Sequence, residues 1–152
     1  MAQMTSGDAD MLNNKGEKIG VARLSSAGKA TVIRLTLKAG ALSPGWHGIH
    51  LHRVGDCSDH ASFQASKGHI SHGSEKHGLL NPEGPEDGDL PNIHVAQDGS
   101  VTTELAVNLP LEGDNGLKQG DGSALVIHAN PDDHKTQPIG GAGARVACGA
   151  IK

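Results

Sequence analysis

The chain has 152 residues, within the usual size of one domain, so we expect a single domain over residues 1–152. Its 13 Lys and Arg against 17 Asp and Glu give a net charge of −4, which offers no general attraction for nucleic acid or an anionic membrane. One Trp, one Phe and no Tyr exclude an aromatic platform for single-stranded nucleic acid. No apolar run approaches the roughly 20 residues that span a bilayer, so we expect a soluble protein with neither type of partner.

Short alternating segments separated by Gly, Pro and Asp-Gly pairs predict β-structure, and there is no long stripe of helical period. The Asp98-Gly99 pair predicts a hairpin that pairs the strands on either side of it. Seven or eight strands predict an all-β protein, a Greek-key sandwich or flattened eight-stranded barrel. In chain order, the strands are predicted at about residues 17–24, 31–37, 46–52, 93–97, 101–109, 123–129 and 144–150.

The segment 55–91 differs from the rest of the chain. It is long, rich in His, Gly, Pro and acidic residues, and has no sustained apolar pattern. Loops of this length are usually functional or disordered. Because this loop contains many potential ligands, we expect it to fold around metal.

The placement of the ten histidines is more informative than their number. His50 and His52 are separated by one residue on a predicted strand, so both side chains lie on one face and can bind one ion. Taken alone, the pair is equally consistent with a solvated or core histidine pair. Several imidazoles together favour copper or zinc over harder ions. Further candidate donors are His128 on a later strand and, in the loop, His69, His72, His77, Glu86 and Asp89.

The two cysteines, Cys57 and Cys148, are far apart and form no CxxC pair. Their spacing alone is equally consistent with one long-range disulfide and with two buried free thiols.

Four segments carry a resemblance to a known family: GIHLHRVGDC, KGHISHGSEKHGLLNPEGPEDGDLPN, VIHANPDD and GGAGARVACGAI. In this order and spacing, over about residues 45–151, they resemble the signature segments of bacterial secreted copper,zinc superoxide dismutases. The resemblance implies an antioxidant oxidoreductase that converts superoxide to oxygen and hydrogen peroxide by copper redox cycling. It also implies a periplasmic or secreted location and is compatible with a homodimer.

By position, the resemblance implies that His50, His52 and His128 are the terminal copper ligands and that His69 bridges copper and zinc. His69 is also implied to carry a proton to the departing peroxide. Arg145 resembles the arginine that attracts and orients superoxide beside the copper. The resemblance further implies the disulfide between Cys57 and Cys148.

The zinc ligands implied by the resemblance are His69, His77 and Asp89, and Asp132 matches a carboxylate that links a copper histidine to a zinc histidine. Glu86 stands where the family has a third zinc histidine. It can therefore be a replacement ligand in a more negative site, or a solvated loop residue beside a site that zinc fills only in part.

Three further points stay open in the sequence. We expect His72 to be a surface residue, although it also stands near the implied zinc ligands. His47, His60, His94 and His134 match no metal role and are expected to be surface or structural residues. As alternatives to a copper,zinc enzyme, the altered zinc loop is compatible with a copper-only dismutase and with a copper-buffering relative that lacks useful catalysis.

Overall fold

The computed structural model describes residues 3–152, and within that range it contains β-strands and a single three-residue 3-10 helix, Gln64–Ser66. No helix in this part of the chain is long and apolar enough to cross a membrane. The strands are β1 (Thr5–Asn13), β2 (Lys18–Ser26), β3 (Thr31–Leu37), β4 (Gly45–His47), β5 (Ile49–His52), β6 (Ile93–Val95), β7 (Val101–Val107), β8 (Ser123–His128) and β9 (Arg145–Ile151).

Seven strands form one antiparallel sheet in the order β5-β8-β9-β1-β2-β3-β7, and β4 and β6 form a small second sheet. β4 continues into β5 at one edge of the large sheet, and β6 continues into β7 at the other edge. The chain therefore links both edges through the small sheet. This confirms the expected all-β architecture, in which non-consecutive strands lie side by side as in Greek-key folds.

The strand count differs from the expectation at two places. The strand predicted at 46–52 is divided at Gly48, whose N–H donates to Asn130 and whose carbonyl accepts from His128. Thr5–Asn13 is an additional strand, because Ala9 and Met11 alternate with polar residues and pack into the core. Its Gly- and Asp-rich sequence has low strand propensity, so pairing with β2 and β9 holds it.

The prediction that the strands around Asp98-Gly99 pair with each other is wrong. These two residues do form a tight turn, but β6 pairs with β4 and β7 pairs with β3. The carbonyl groups of Asp98 and Gly99 accept hydrogen bonds from Gly40 and Leu42, which lie in the loop after β3. The turn is therefore bound to that loop, and the chain passes from one sheet to the other.

β8 is buried on both faces, because one face packs against the main core and the other against the loop that carries Cys57 and Phe63. Leu125 and Ile127 face the main core, whereas Ala124 and Val126 belong to a second cluster formed with three loop and strand residues. The other members of that cluster are Phe63 and the half-cystines Cys57 and Cys148. The disulfide confirms the pairing implied by the resemblance, and the alternative of two free thiols is wrong.

Removing the disulfide is expected to destabilise the metal-free protein by about 4–5 kcal/mol in the chain-entropy model. The reason is that the crosslink closes a loop across 91 positions of the sequence. Urea unfolding of oxidised protein, reduced protein and the Cys57→Ala/Cys148→Ala variant measures this difference. The reduced protein and the variant should both unfold at lower urea concentrations, and an unchanged midpoint in either one contradicts the prediction.

Candidate metal centre

Three histidines are brought together by the pairing of β5 with β8. His50 and His52 lie on β5, opposite Val126 and Ala124, and His128 is the last residue of β8. The ring centroid of His128 lies 4.7 Å from that of His50 and 5.8 Å from that of His52. The sheet itself therefore assembles three imidazoles in one place.

The long loop supplies the fourth imidazole by lying along the free edge of β5. His52 bridges to His69, and His50 bridges to Asp89, as residues on neighbouring strands do. The main-chain N–H and carbonyl groups of Leu51 both form hydrogen bonds with the loop, each at 2.9 Å. The ring of His69 is thereby placed 4.2 Å from that of His50 and 4.9 Å from that of His52.

These four imidazoles form the first cluster, with one donor atom of each within 4.8 Å of the others. The atoms His50 Nδ1, His52 Nε2, His69 Nε2 and His128 Nε2 are buried and have no hydrogen-bond partner within residues 3–152. Unpaired buried polar atoms are rare and unfavourable in proteins. Four such nitrogens that converge fit a transition metal such as copper, which imidazole ligands suit.

The opposite nitrogen of two of these rings is held by a main-chain carbonyl. His52 Nδ1 donates to Lys67 O at 2.7 Å, and His128 Nδ1 donates to Gly143 O at 3.0 Å. Because a carbonyl only accepts, the proton lies on Nδ1 and the lone pair lies on Nε2, which faces the cluster. These contacts fix the tautomer and the ring orientation before any metal binds.

Asp132 connects the first cluster to a neighbouring group. Its carboxylate accepts from His50 Nε2 at 2.7 Å and from His77 Nε2 at 3.0 Å. Burial alone would raise the pKa of Asp132, but these hydrogen bonds hold it well below its ordinary value. Gly140 permits this arrangement, because a Cβ at that position would lie 1.8 Å from Asp132 Oδ1. Asp132 therefore joins the two histidines, as the resemblance implies.

The second cluster consists of His69, His77, Glu86 and Asp89. Glu86 Oε1 lies 2.8 Å from His69 Nδ1 and 3.5 Å from His77 Nδ1, and Asp89 Oδ1 lies 2.7 Å from His77 Nδ1. The Glu86 side chain is 18% exposed, so the carboxylate points into the cluster and away from solvent. His69 contributes its other nitrogen to the first cluster and therefore lies between the two groups.

Hydrogen bonding governs the charges in the second cluster. Burial lowers the pKa of His77, but its hydrogen bonds to Asp132, Asp89 and Glu86 outweigh burial and raise the pKa to about 11. Burial raises the pKa of Glu86, but hydrogen bonds with His69 and His77 bring it down to about 2. Without metal, the cluster is therefore a network of carboxylates around a protonated His77.

The metal-free protein is expected to lose stability as the pH falls below about 6.5. Burial lowers the pKa of His128 from 6.5 to about 3 and that of His52 well below 6.5. Between these values the unfolded chain takes up protons that the folded chain does not, so acid favours unfolding. Urea unfolding from pH 7 to pH 4 measures the effect, and His128→Gln should reduce the slope. A stability that stays constant over this range contradicts the prediction.

Arg145 lies at the rim of the first cluster. It is the first residue of β9 and stands opposite His128 in the ladder. Its guanidinium Nη1 donates to Phe63 O at 2.8 Å and to Ser66 Oγ at 3.0 Å. Burial is the largest cause of the lowered pKa of His128, and the neighbouring histidines lower it further. The positive charge of Arg145 also lowers this pKa. No sequence pattern predicts the contact with Ser66.

Five histidines lie outside the two clusters, among them His72 and His47. His72 is a loop residue whose ring is 39% exposed and 3.2 Å from Asp87, in keeping with the expected surface position. His47 is buried, with Nδ1 2.6 Å from His128 O and Nε2 2.8 Å from Ser43 O. It therefore supports the main chain at His128, a structural role that the sequence pattern did not single out.

Comparison with known proteins agrees with this geometry. A sequence profile described as copper/zinc superoxide dismutase (SODC) matches residues 18–151. A Cu-Zn superoxide dismutase of Caulobacter vibrioides is 48% identical over 142 residues, 90% of this chain and 80% of the relative. Cu-Zn superoxide dismutase 1 of Aquifex aeolicus is 44% identical over 100% of this chain and 90% of the relative.

Among solved structures, a SOD-like protein from Bacillus subtilis matches with a TM-score of 0.89 at 29% identity, over 97% of this chain and 100% of that chain. The profile covers well over half of the chain, and the two relatives exceed 40% identity over most of it. The chain belongs to the copper/zinc superoxide dismutase family.

Proposed function

We propose that this chain catalyses the dismutation of superoxide, in which two superoxide anions and two protons give O2 and H2O2, at copper held by the first cluster. The observation that carries the proposal is the convergence of four buried, unpaired imidazole nitrogens beside Arg145. Bound copper supplies the one-electron chemistry, accepting an electron from one superoxide and donating it to a second. The proposed ligands are His50, His52, His69 and His128.

The chain's own residues do the remaining work. Asp132 and the carbonyl groups of Lys67 and Gly143 keep the ring nitrogens directed at one point, so little rearrangement accompanies binding or turnover. Arg145 places a permanent positive charge at the rim, where it attracts a small anion and orients it by hydrogen bonds. The substrate therefore reaches the site from the Arg145 side.

His69 is the proposed proton carrier. Its Nε2 faces the first cluster, and its Nδ1 is held by Glu86 at 2.8 Å. When Nε2 is not engaged as a metal ligand it can hold a proton next to the position of the anion, and that proton can be delivered to the product as peroxide leaves. The contact at Nδ1 keeps the ring in place while the proton moves.

We further propose that the second cluster holds zinc through His69, His77, Glu86 and Asp89. Two imidazoles and two carboxylates are ordinary zinc donors, and four is the usual number in a structural zinc site. The position of Glu86 inside the cluster supports the reading of a replacement ligand over that of a solvated loop residue.

Glu86→Gln is expected to weaken zinc binding by at least about tenfold, because it removes a charged oxygen from the donor set. Titration of the copper-loaded protein with zinc against a competing chelator measures the affinity. Glu83→Gln is the matched control, since Glu83 lies in the same loop but pairs with Lys76 at the surface. His72→Ala should also leave the affinity unchanged. Equal affinities for wild type and Glu86→Gln contradict the assignment of Glu86.

The competing function is a copper-buffering protein without useful catalysis. Arg145 favours the enzyme, because metal storage does not require an anion-attracting group held at the rim. The decisive experiment is stopped-flow decay of superoxide with copper-loaded protein, with and without zinc. A fast rate that falls as salt is added supports dismutation. A rate equal to that of metal-free protein, despite tightly bound copper, favours the buffer.

The setting of the protein is proposed on similar grounds. A periplasmic or secreted location is compatible with the disulfide, which forms and persists in oxidising compartments. We propose that residues 1–152 act as one domain and that the small anion is the only partner the chemistry requires, with a homodimer compatible with the family.

A further inference from the structure

A closed triangle of hydrogen bonds holds the guanidinium of Arg145. Nη1 donates to Phe63 O at 2.8 Å and to Ser66 Oγ at 3.0 Å, and the hydroxyl of Ser66 donates to Phe63 O at 2.7 Å. Because the hydroxyl proton is directed at Phe63, the lone pairs of Ser66 Oγ are free to accept from the arginine. All three contacts are mutually compatible.

Burial makes the contact with Ser66 effective. Ser66 has no exposed surface, so no solvent competes for its hydroxyl. A hydrogen bond from a charged donor is also stronger than one between neutral groups. Within residues 3–152, only Nη1 of the Arg145 guanidinium donates hydrogen bonds to the protein. The N–H groups of its other two nitrogens therefore remain available to an anion.

The turn that carries Ser66 also holds a proposed copper ligand. Lys67, the next residue, accepts from His52 Nδ1 at 2.7 Å. The main chain of Lys67 has a φ of 64°, a conformation that residues other than Gly seldom adopt. A hydrogen bond from Ala65 N to the carboxylate of Asp59, at 3.0 Å, also holds the turn. Ser66 thus lies on a hydrogen-bonded turn that contacts both the anion-attracting arginine and a ligand of the metal cluster.

We propose that Ser66 is a positioning residue for anion binding, which fixes the Arg145 guanidinium with its free N–H groups directed at the substrate. The inference rests on the proposed function and deepens it. Phe63 O alone defines one point of contact, about which the planar group can still rotate. The second contact, at Ser66 Oγ, removes that rotation.

Azide binding to the copper(II) protein tests the proposal, with the dissociation constant followed by the charge-transfer absorption band. Ser66→Ala is expected to weaken azide binding about three- to tenfold, the range for loss of one hydrogen bond to a charged group that retains another. Ser58→Ala is the matched control, because Ser58 lies in the same loop, is exposed and bonds to Asp56 instead of Arg145. It should bind azide as the wild type does.

A double-mutant cycle separates positioning from general structural support. In an Arg145→Ala background, Ser66→Ala should have no further effect on azide affinity. A loss that persists without the arginine overturns the proposal, as does an altered copper(II) spectrum in Ser66→Ala alone. Equal azide affinities of wild type and Ser66→Ala overturn it as well.

A second measurement needs neither copper nor turnover. In the metal-free protein, nitrogen-15 NMR should resolve separate, slowly exchanging Nη signals for Arg145, and these should merge in Ser66→Ala because the guanidinium rotates. Identical signals in both proteins contradict the proposal. Since neither azide affinity nor NMR depends on dismutation, a protein that fails the superoxide assay can still show the role of Ser66, and the two failures are distinguishable.

Discussion

His128→Ala is expected to lower the copper-dependent rate of superoxide decay by at least about a hundredfold. This exceeds the loss expected for a residue that only hydrogen-bonds to a metal ligand. His128 Nε2 is one of the four converging nitrogens, and its ring is buried at the end of β8. Alanine removes this donor and leaves the site open on one side. Stopped-flow decay of superoxide at equal copper loading measures the loss.

His94→Ala provides the control for that experiment. His94 is an exposed histidine on β6, outside both clusters, so its loss should leave the rate within about twofold of the wild type. A His128→Ala protein that retains full activity at one copper per chain places the reaction somewhere other than the first cluster.

Arg145→Ala is expected to lower kcat/KM for superoxide by about ten- to a hundredfold, within the range that electrostatic focusing provides. The charge of Arg145 stands beside the cluster, opposite His128, in a protein whose net charge of −4 otherwise repels the substrate. The dependence of the rate on ionic strength should become shallower, because one attractive charge is lost. Rates measured from about 10 to 150 mM salt test both statements.

Arg34→Ala is the matched control for Arg145. Arg34 lies on β3, where it pairs with Glu104 on the exposed face of the sheet. Its removal changes the net charge by the same amount but should leave the rate and its salt dependence nearly unchanged. If both variants lose activity equally, only the overall charge matters, and the specific role of Arg145 is wrong.

The fold was predictable where apolar residues alternate clearly. β3 has the predicted bounds, 31–37, because Ile33, Leu35 and Leu37 face the core between exposed residues. β1 was missed because its sequence favours no strand, and only its neighbours in the sheet stabilise it. The partners of β6 and β7 were also unpredictable, since they depend on contacts with a loop distant in sequence.

The side chains of the site were predictable, whereas their supports were not. The histidines carry a visible pattern, and the resemblance assigned them to two clusters that the structure assembles. The carbonyl groups of Lys67 and Gly143 leave no trace in the sequence, because every residue has a carbonyl. The direction of Glu86 likewise depends on how the loop folds against β5, and no spacing rule gives it.

We propose that one copper ion in the first cluster accounts for catalysis. Adding copper in steps to the metal-free protein and measuring superoxide decay after each addition tests it directly, with unbound copper removed by a chelator. The wild-type rate should rise linearly and reach a plateau at one equivalent of copper per chain, and the rate of His128→Ala should stay near background. If one bound equivalent of copper does not accelerate superoxide decay, or if His128→Ala is as fast as the wild type, copper in the first cluster is not the catalyst.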